Sequence, residues 1–169
     1  MNFTTETKEK IIDDMCKMIQ CATVSYQDDE LVDWSQYEKF QNLLRRNFPT
    51  IYQKCDFFKV GKTGLVHKIS GKNAETQNKC ANVLMAHYDV VPVTEGWDHD
   101  PFLGEIVDGY LYGRGAIDTK CTMICALSAL EKALETIDTD NLTVEDIITE
   151  NIELKEAMKE LNNYNKFRI

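Results

Sequence analysis

Apolar positions recur at helical spacing near the start of the chain. Ile11, Ile12, Met15, Met18 and Ile19 fall on one face of a predicted helix over residues 4–20. Thr4 or Thr5 is placed to cap it, and Glu6 suits the positive end of its first turn. A second stripe, Tyr37, Phe40, Leu44 and Phe48, predicts a helix over 34–48, with Asp33 as its cap and Pro49 just after its end. The period then shortens. Phe57–Val60 and Leu65–Ile69 are short apolar runs joined by Gly61-Lys62-Thr63-Gly64, which reads as a hairpin. Residues 71–79 are polar and read as a loop.

Val83-Leu84-Met85-Ala86 is a continuous apolar run, the pattern of a strand buried on both faces in an α/β sheet. Asp108-Gly109 between Glu105-Ile106-Val107 and Tyr110-Leu111-Tyr112 predicts a tight two-residue hairpin. Met123, Leu127, Leu130 and Leu134 mark a helix over about residues 119–135. All eight glycines lie at or before Gly115 and all three prolines at or before Pro101. Residues 136–169 hold eight acids, four bases and the helical stripe Ile147, Ile148, Ile152, Leu154, Met158 and Leu161, with Thr143 and Asp146 set as a cap. A boundary is expected near Thr136–Leu142, dividing the chain into 1–135 and a helical tail over 136–169.

A length of 169 residues suffices for one domain with a core of its own. The net charge of −9 argues against a nucleic-acid or anionic-membrane surface and is compatible with cation binding. With neither a secretory signal nor an apolar run long enough to span a bilayer, the cytoplasm is the expected compartment. The six cysteines form no Cys-x-x-Cys pair, so a zinc knuckle is not expected, and reduced thiols are. Cys121 and Cys125, one turn apart, are expected to pack rather than to bind metal.

The candidate chemistry starts at His87. A histidine directly after a buried strand sits where α/β sheets place their ligand sites. Asp89, two residues on, lies on the same side of an extended chain and can accept the second imidazole N–H, which fixes the tautomer of a metal ligand. The same His-x-Asp arrangement also serves as a structural hydrogen-bonded pair. Further on, Gly113-Arg114-Gly115 leads into a helix, with Asp118 at or near its N-terminus. Asp118 reads either as a plain helix cap or as a carboxylate presented to one or two metal ions.

Taken together these blocks are more specific. His87-Tyr88-Asp89-Val90-Val91-Pro92-Val93, Trp97-Asp98-His99-Asp100-Pro101-Phe102, Gly104-Glu105, and Asp108-Gly109-Tyr110-Leu111-Tyr112-Gly113-Arg114-Gly115-Ala116-Ile117-Asp118-Thr119-Lys120 resemble, in order and spacing, a two-zinc metallopeptidase family. It includes aminoacylases, acetylornithine deacetylase, succinyl-diaminopimelate desuccinylase and Gly-X carboxypeptidases. The resemblance covers roughly residues 4–135, and the Trp-x-x-x-Pro-Phe block brings it nearest to the carboxypeptidase-like members. It implies a three-layer α/β sandwich, with a largely parallel central sheet and helices on both faces. Here that sandwich is incomplete and followed by the added C-terminal helix. The resemblance also implies that His87 binds one zinc, Asp89 orients His87, and Asp118 bridges two zincs, cobalt or manganese being able to substitute. The Asp118–Thr119 peptide bond is implied to be cis. The implied reaction is hydrolysis of an amide bond in an N-acyl amino acid or small peptide.

The chain also departs from the family. It has no Glu-Glu pair, the family's source of the general base, and no histidine after Asp118. Cys121 stands where many members have glycine. His67 is expected to be structural, and His99 has no assigned role. Two kinds of function follow. One is an incomplete hydrolase, inactive alone. The other is a non-catalytic remnant or binding module that pairs with a full-length relative, the C-terminal helix offering a protein contact.

Overall fold

The computed structural model describes residues 3–69 and 83–136. The first helix, α1, runs Thr5–Ile19, and the Thr4 hydroxyl accepts from the Thr7 amide at its start. Ile11, Met15, Met18 and Ile19 are buried as the pattern required, whereas Ile12 turns outward. Helix α2, Trp34–Asn47, is capped by the Asp33 carboxylate, which accepts from the amide and hydroxyl of Ser35. Pro49 does not stop helical structure. It opens a further short helix, α3 (Pro49–Lys54), at a position whose missing N–H would have no partner in any case.

The predicted hairpin forms as β1 (Asp56–Val60) against antiparallel β2 (Gly64–Lys68). His67 lies there in an aromatic group with Tyr52 and Phe57, beneath Arg45, in keeping with a structural role. The second hairpin, β3 (Ile106–Val107) and β4 (Tyr110–Leu111), turns at Asp108 and Gly109, both with positive φ. Helix α4 follows over Cys121–Thr136. The expected loop at 71–79 and the expected tail helix fall outside the described residues, apart from Thr136.

The described residues are a mixture of helices and small antiparallel hairpins, in keeping with an α/β unit. A parallel central sheet is not formed among them. Their one parallel pairing is an isolated bridge between Val24 and Val90. The expectation that Val83–Ala86 is a doubly buried strand needs correction. Val83, Leu84 and Met85 are 72%, 63% and 84% exposed. Apolar side chains become buried only where other elements cover them, and among the described residues none does.

The core lies where the four helices meet. Phe40, Met18, Ile19 and Ile51 are fully buried, with Leu44, Phe48, Ile124 and Leu134 around them. Helices α3 and α4 are also tied by polar contacts. The buried Glu131 carboxylate of α4 accepts the amides of Thr50 and Ile51 at 2.7 and 2.8 Å, satisfying the first turn of α3. The described cysteines are free, and Cys125 is buried in the core, consistent with packing.

Candidate metal centre

Alternation along an extended chain decides what residues 87–89 can do. Successive side chains point to opposite sides. Tyr88 points into the core, stacked on Phe40 at 4.6 Å and edge-on to Tyr37 at 5.7 Å. Its hydroxyl donates to the Thr63 carbonyl and accepts from the Gln41 amide. His87 and Asp89 therefore share the outer side. Pairing beside them fixes the segment: the Val90 amide donates to the Thr23 carbonyl, the Ser25 amide donates to the Val90 carbonyl, and the buried Thr23 hydroxyl donates to the Tyr88 carbonyl.

Asp118 arrives from the other direction, in an irregular turn over Ala116–Lys120. Asp118 and Thr119 leave helical geometry there, and the peptide bond between them is cis. The two glycines before the turn have steric reasons. A Cβ on Gly113 would lie 2.4 Å from the Ile19 side chain. Gly115 has φ +82°, and a Cβ there would lie 2.6 Å from the Val90 side chain.

The turn brings Asp118 Oδ1 to 3.0 Å from His87 Nε2. On its other face, His87 Nδ1 lies 3.0 Å from the Asp89 carbonyl and 3.3 Å from the Asp89 carboxylate. Asp89 thus meets the imidazole through both its main chain and its side chain. The side chains are open to solvent, 49% exposed for His87, 48% for Asp89 and 81% for Asp118. Partial desolvation pulls the His87 pKa down. The hydrogen bonds to Asp89 and Asp118 and the charges of both carboxylates outweigh it and hold the pKa above its ordinary value.

Two neighbours went unassigned in the sequence. The Thr119 hydroxyl accepts from the His87 amide at 3.1 Å and donates to the His87 carbonyl at 2.9 Å. Lys120 is fully buried, and its ammonium donates to the carbonyls of Met18 and Cys21 at 3.0 and 2.9 Å, closing the C-terminal end of α1. Burial pushes its pKa down to about 8. A lysine at the start of an otherwise apolar helix was the available signal. His99 is occupied elsewhere, 2.7 Å from Glu105 and tilted against the Tyr112 ring.

An imidazole and a carboxylate, with a second carboxylate behind the imidazole, are donors that fit zinc in kind. They do not fit in number. Among the described residues no group of three or more His, Cys, Asp or Glu side chains is arranged to hold one ion.

The comparisons give the lineage of the chain that carries this arrangement. Residues 83–151 match the model of Peptidase family M20/M25/M40. The chain is 35% identical over 134 residues to an N-fatty-acyl-amino acid synthase/hydrolase of Danio rerio, covering 77% of this chain and 25% of that protein. It is 33% identical over 114 residues to a probable carboxypeptidase S-like protein of Dictyostelium discoideum, covering 66% and 23%. Over 49 residues it is 55% identical to the succinyl-diaminopimelate desuccinylase of Methylorubrum extorquens, 28% of this chain and 13% of that one. The chain thus matches this peptidase family over residues 83–151 and spans about a quarter of the length of the first relatives named.

Proposed function

We propose that residues 1–135 form the N-terminal part of a zinc-dependent amidohydrolase site acting on N-acyl amino acids or small peptides, with residues 136–169 as a separate C-terminal segment. The observation that carries this reading is the approach of His87 Nε2 to Asp118 Oδ1, with Asp89 behind the imidazole. In it, His87 and Asp118 hold the metal, and Asp89 fixes the His87 ring and tautomer. When bound, the metal activates water and polarises the substrate carbonyl; cobalt or manganese can substitute for zinc. The names of the relatives, an N-fatty-acyl-amino acid hydrolase and a carboxypeptidase, support the amide substrate class.

This chain alone is proposed to bind zinc weakly or not at all and to be inactive. Its sequence holds no Glu-Glu pair and no histidine after Asp118, and structural or catalytic zinc takes about four ligands. Zinc calorimetry on the purified chain tests this: no binding, or weak binding that His87→Ala removes, is expected, and two tight sites would refute it. Turnover of an N-acyl amino acid by the zinc-loaded chain would refute the proposed inactivity.

The exposure of Val83, Leu84 and Met85 favours a second reading, a binding module that pairs with a full-length relative. A pull-down with such a relative distinguishes the two. In either reading the compartment proposed is the cytoplasm; the described residues contain no helix long and apolar enough to cross a membrane.

A further inference from the structure

An exposed imidazole–carboxylate contact contributes little energy of its own, since water competes for both groups and both side chains lose rotamer freedom to hold it. His87 and Asp118 are 49% and 81% exposed, so their contact does not explain why they meet. The explanation lies in the main chains that carry them. Asp118 is carried on a segment fixed from behind, where the Lys120 amide donates to the Gly115 carbonyl and the buried Lys120 ammonium grips the end of α1. His87 is carried on a segment whose next residue, Tyr88, is seated in the core. One side chain joins these two supports at the level of the site. The Thr119 hydroxyl engages both main-chain groups of His87, accepting from the N–H and donating to the C=O.

We propose that Thr119 is a positioning residue, whose hydroxyl holds the main chain of residue 87 so that its imidazole meets Asp118. This rests on the reading of His87 and Asp118 as metal-binding side chains only for its consequence in metal affinity. The geometric part stands by itself. Residues 118, 119 and 120 then have separate tasks: the first presents a carboxylate to the site, the second ties residue 87, and the third anchors the turn to α1. Both atoms held by Thr119 belong to an exposed residue, so water can replace the hydroxyl energetically but cannot reproduce its fixed direction.

The test compares Thr119→Ser, which keeps the hydroxyl, with Thr119→Val, which keeps the shape and loses it. Three quantities are read on the purified chain: exchange of the His87 amide, the nuclear Overhauser contact between the His87 ring and the Asp118 side chain, and zinc affinity. Thr119→Ser is expected to match the parent in all three. Thr119→Val is expected to exchange the His87 amide at least about tenfold faster, to lose the ring contact, and to bind zinc about 10–100-fold more weakly, as for loss of a group that orients a ligand. Its thermal midpoint should stay within about 2 °C of the parent. If Thr119→Val keeps slow amide exchange and the ring contact, the proposal is overturned. If the parent binds no zinc, amide exchange and the ring contact decide the role of Thr119, whereas two tight zinc sites would refute the reading of an incomplete metal centre without touching that role. Should Thr119→Val fail to fold, Thr119→Ala adds no bulk and supports the same comparison.

Discussion

Asp118 and Lys120 are two residues apart and live in opposite surroundings. The first is four-fifths in water, and the second is fully buried, with its ammonium against the carbonyls of Met18 in α1 and of Cys21 just past its end. The contrast runs through the molecule. Behind the site, four helices enclose Phe40, Ile51 and the side chain of Tyr88. In front, Val83–Met85, His87 and Asp118 face outward. The chain therefore invests its packing in holding the candidate ligands, while the ligands themselves contribute little to stability.

Substitutions on the two sides should separate accordingly. The largest loss is expected for Phe40→Ala, which removes a fully buried ring stacked on Tyr88 and should cost about 3–5 kcal/mol in urea unfolding. A cost under about 1 kcal/mol would mean that Phe40 is not part of the core. Glu131→Ala should cost about 3 kcal/mol, because two amides at the start of α3 lose a charged acceptor inside the protein. Hydrogen exchange at Thr50 and Ile51 should rise in that variant and nowhere in the hairpin β3–β4.

The buried thiol of Cys125 gives a pH test of the same side. Burial, with a smaller contribution from Cys121, pushes its pKa from 9.0 up to about 11. Between those values the unfolded chain releases a proton that the folded chain keeps, so stability falls as pH rises. Two pKa units correspond to about 3 kcal/mol. The parent should lose up to about that much more than Cys125→Ala over pH 9–11, measured by denaturant unfolding at each pH. Equal slopes would show that Cys125 is not dry. The smallest effect is expected on the exposed side: Met85→Lys should change stability by no more than about 0.5 kcal/mol, and a loss of 2 kcal/mol would show that Met85 is covered.

What could be read in the sequence follows the range of the forces involved. Helices α1, α2 and α4 were legible because a 3.6-residue stripe is a local record of burial, and the Asp108-Gly109 turn because few residues tolerate positive φ. Helix α3 was missed because Pro49 ends one helix and suits the first turn of another equally well. Val83–Ala86 misled because an apolar run states a preference for burial and does not supply the neighbours. At the site, His87, Asp89 and Asp118 were legible as residue types at strand and helix ends, and the structure brings the three together. Thr119 and Lys120 were not, because their contacts reach His87, Met18 and Cys21 across 32, 102 and 99 residues of sequence. A lysine opening an apolar helix signals burial without naming its partners, and a threonine there gives no local sign at all.

In the proposed site, His87 and Asp118 form one cation-binding locus. Titration of the isotopically labelled chain with manganese, followed through the broadening of side-chain signals, tests it directly. His87 and Asp118 should broaden together, at lower metal concentration than His99, Glu105 or His67. Broadening that begins at His99 and Glu105, or that reaches His87 without Asp118, would show that His87 and Asp118 do not share a cation.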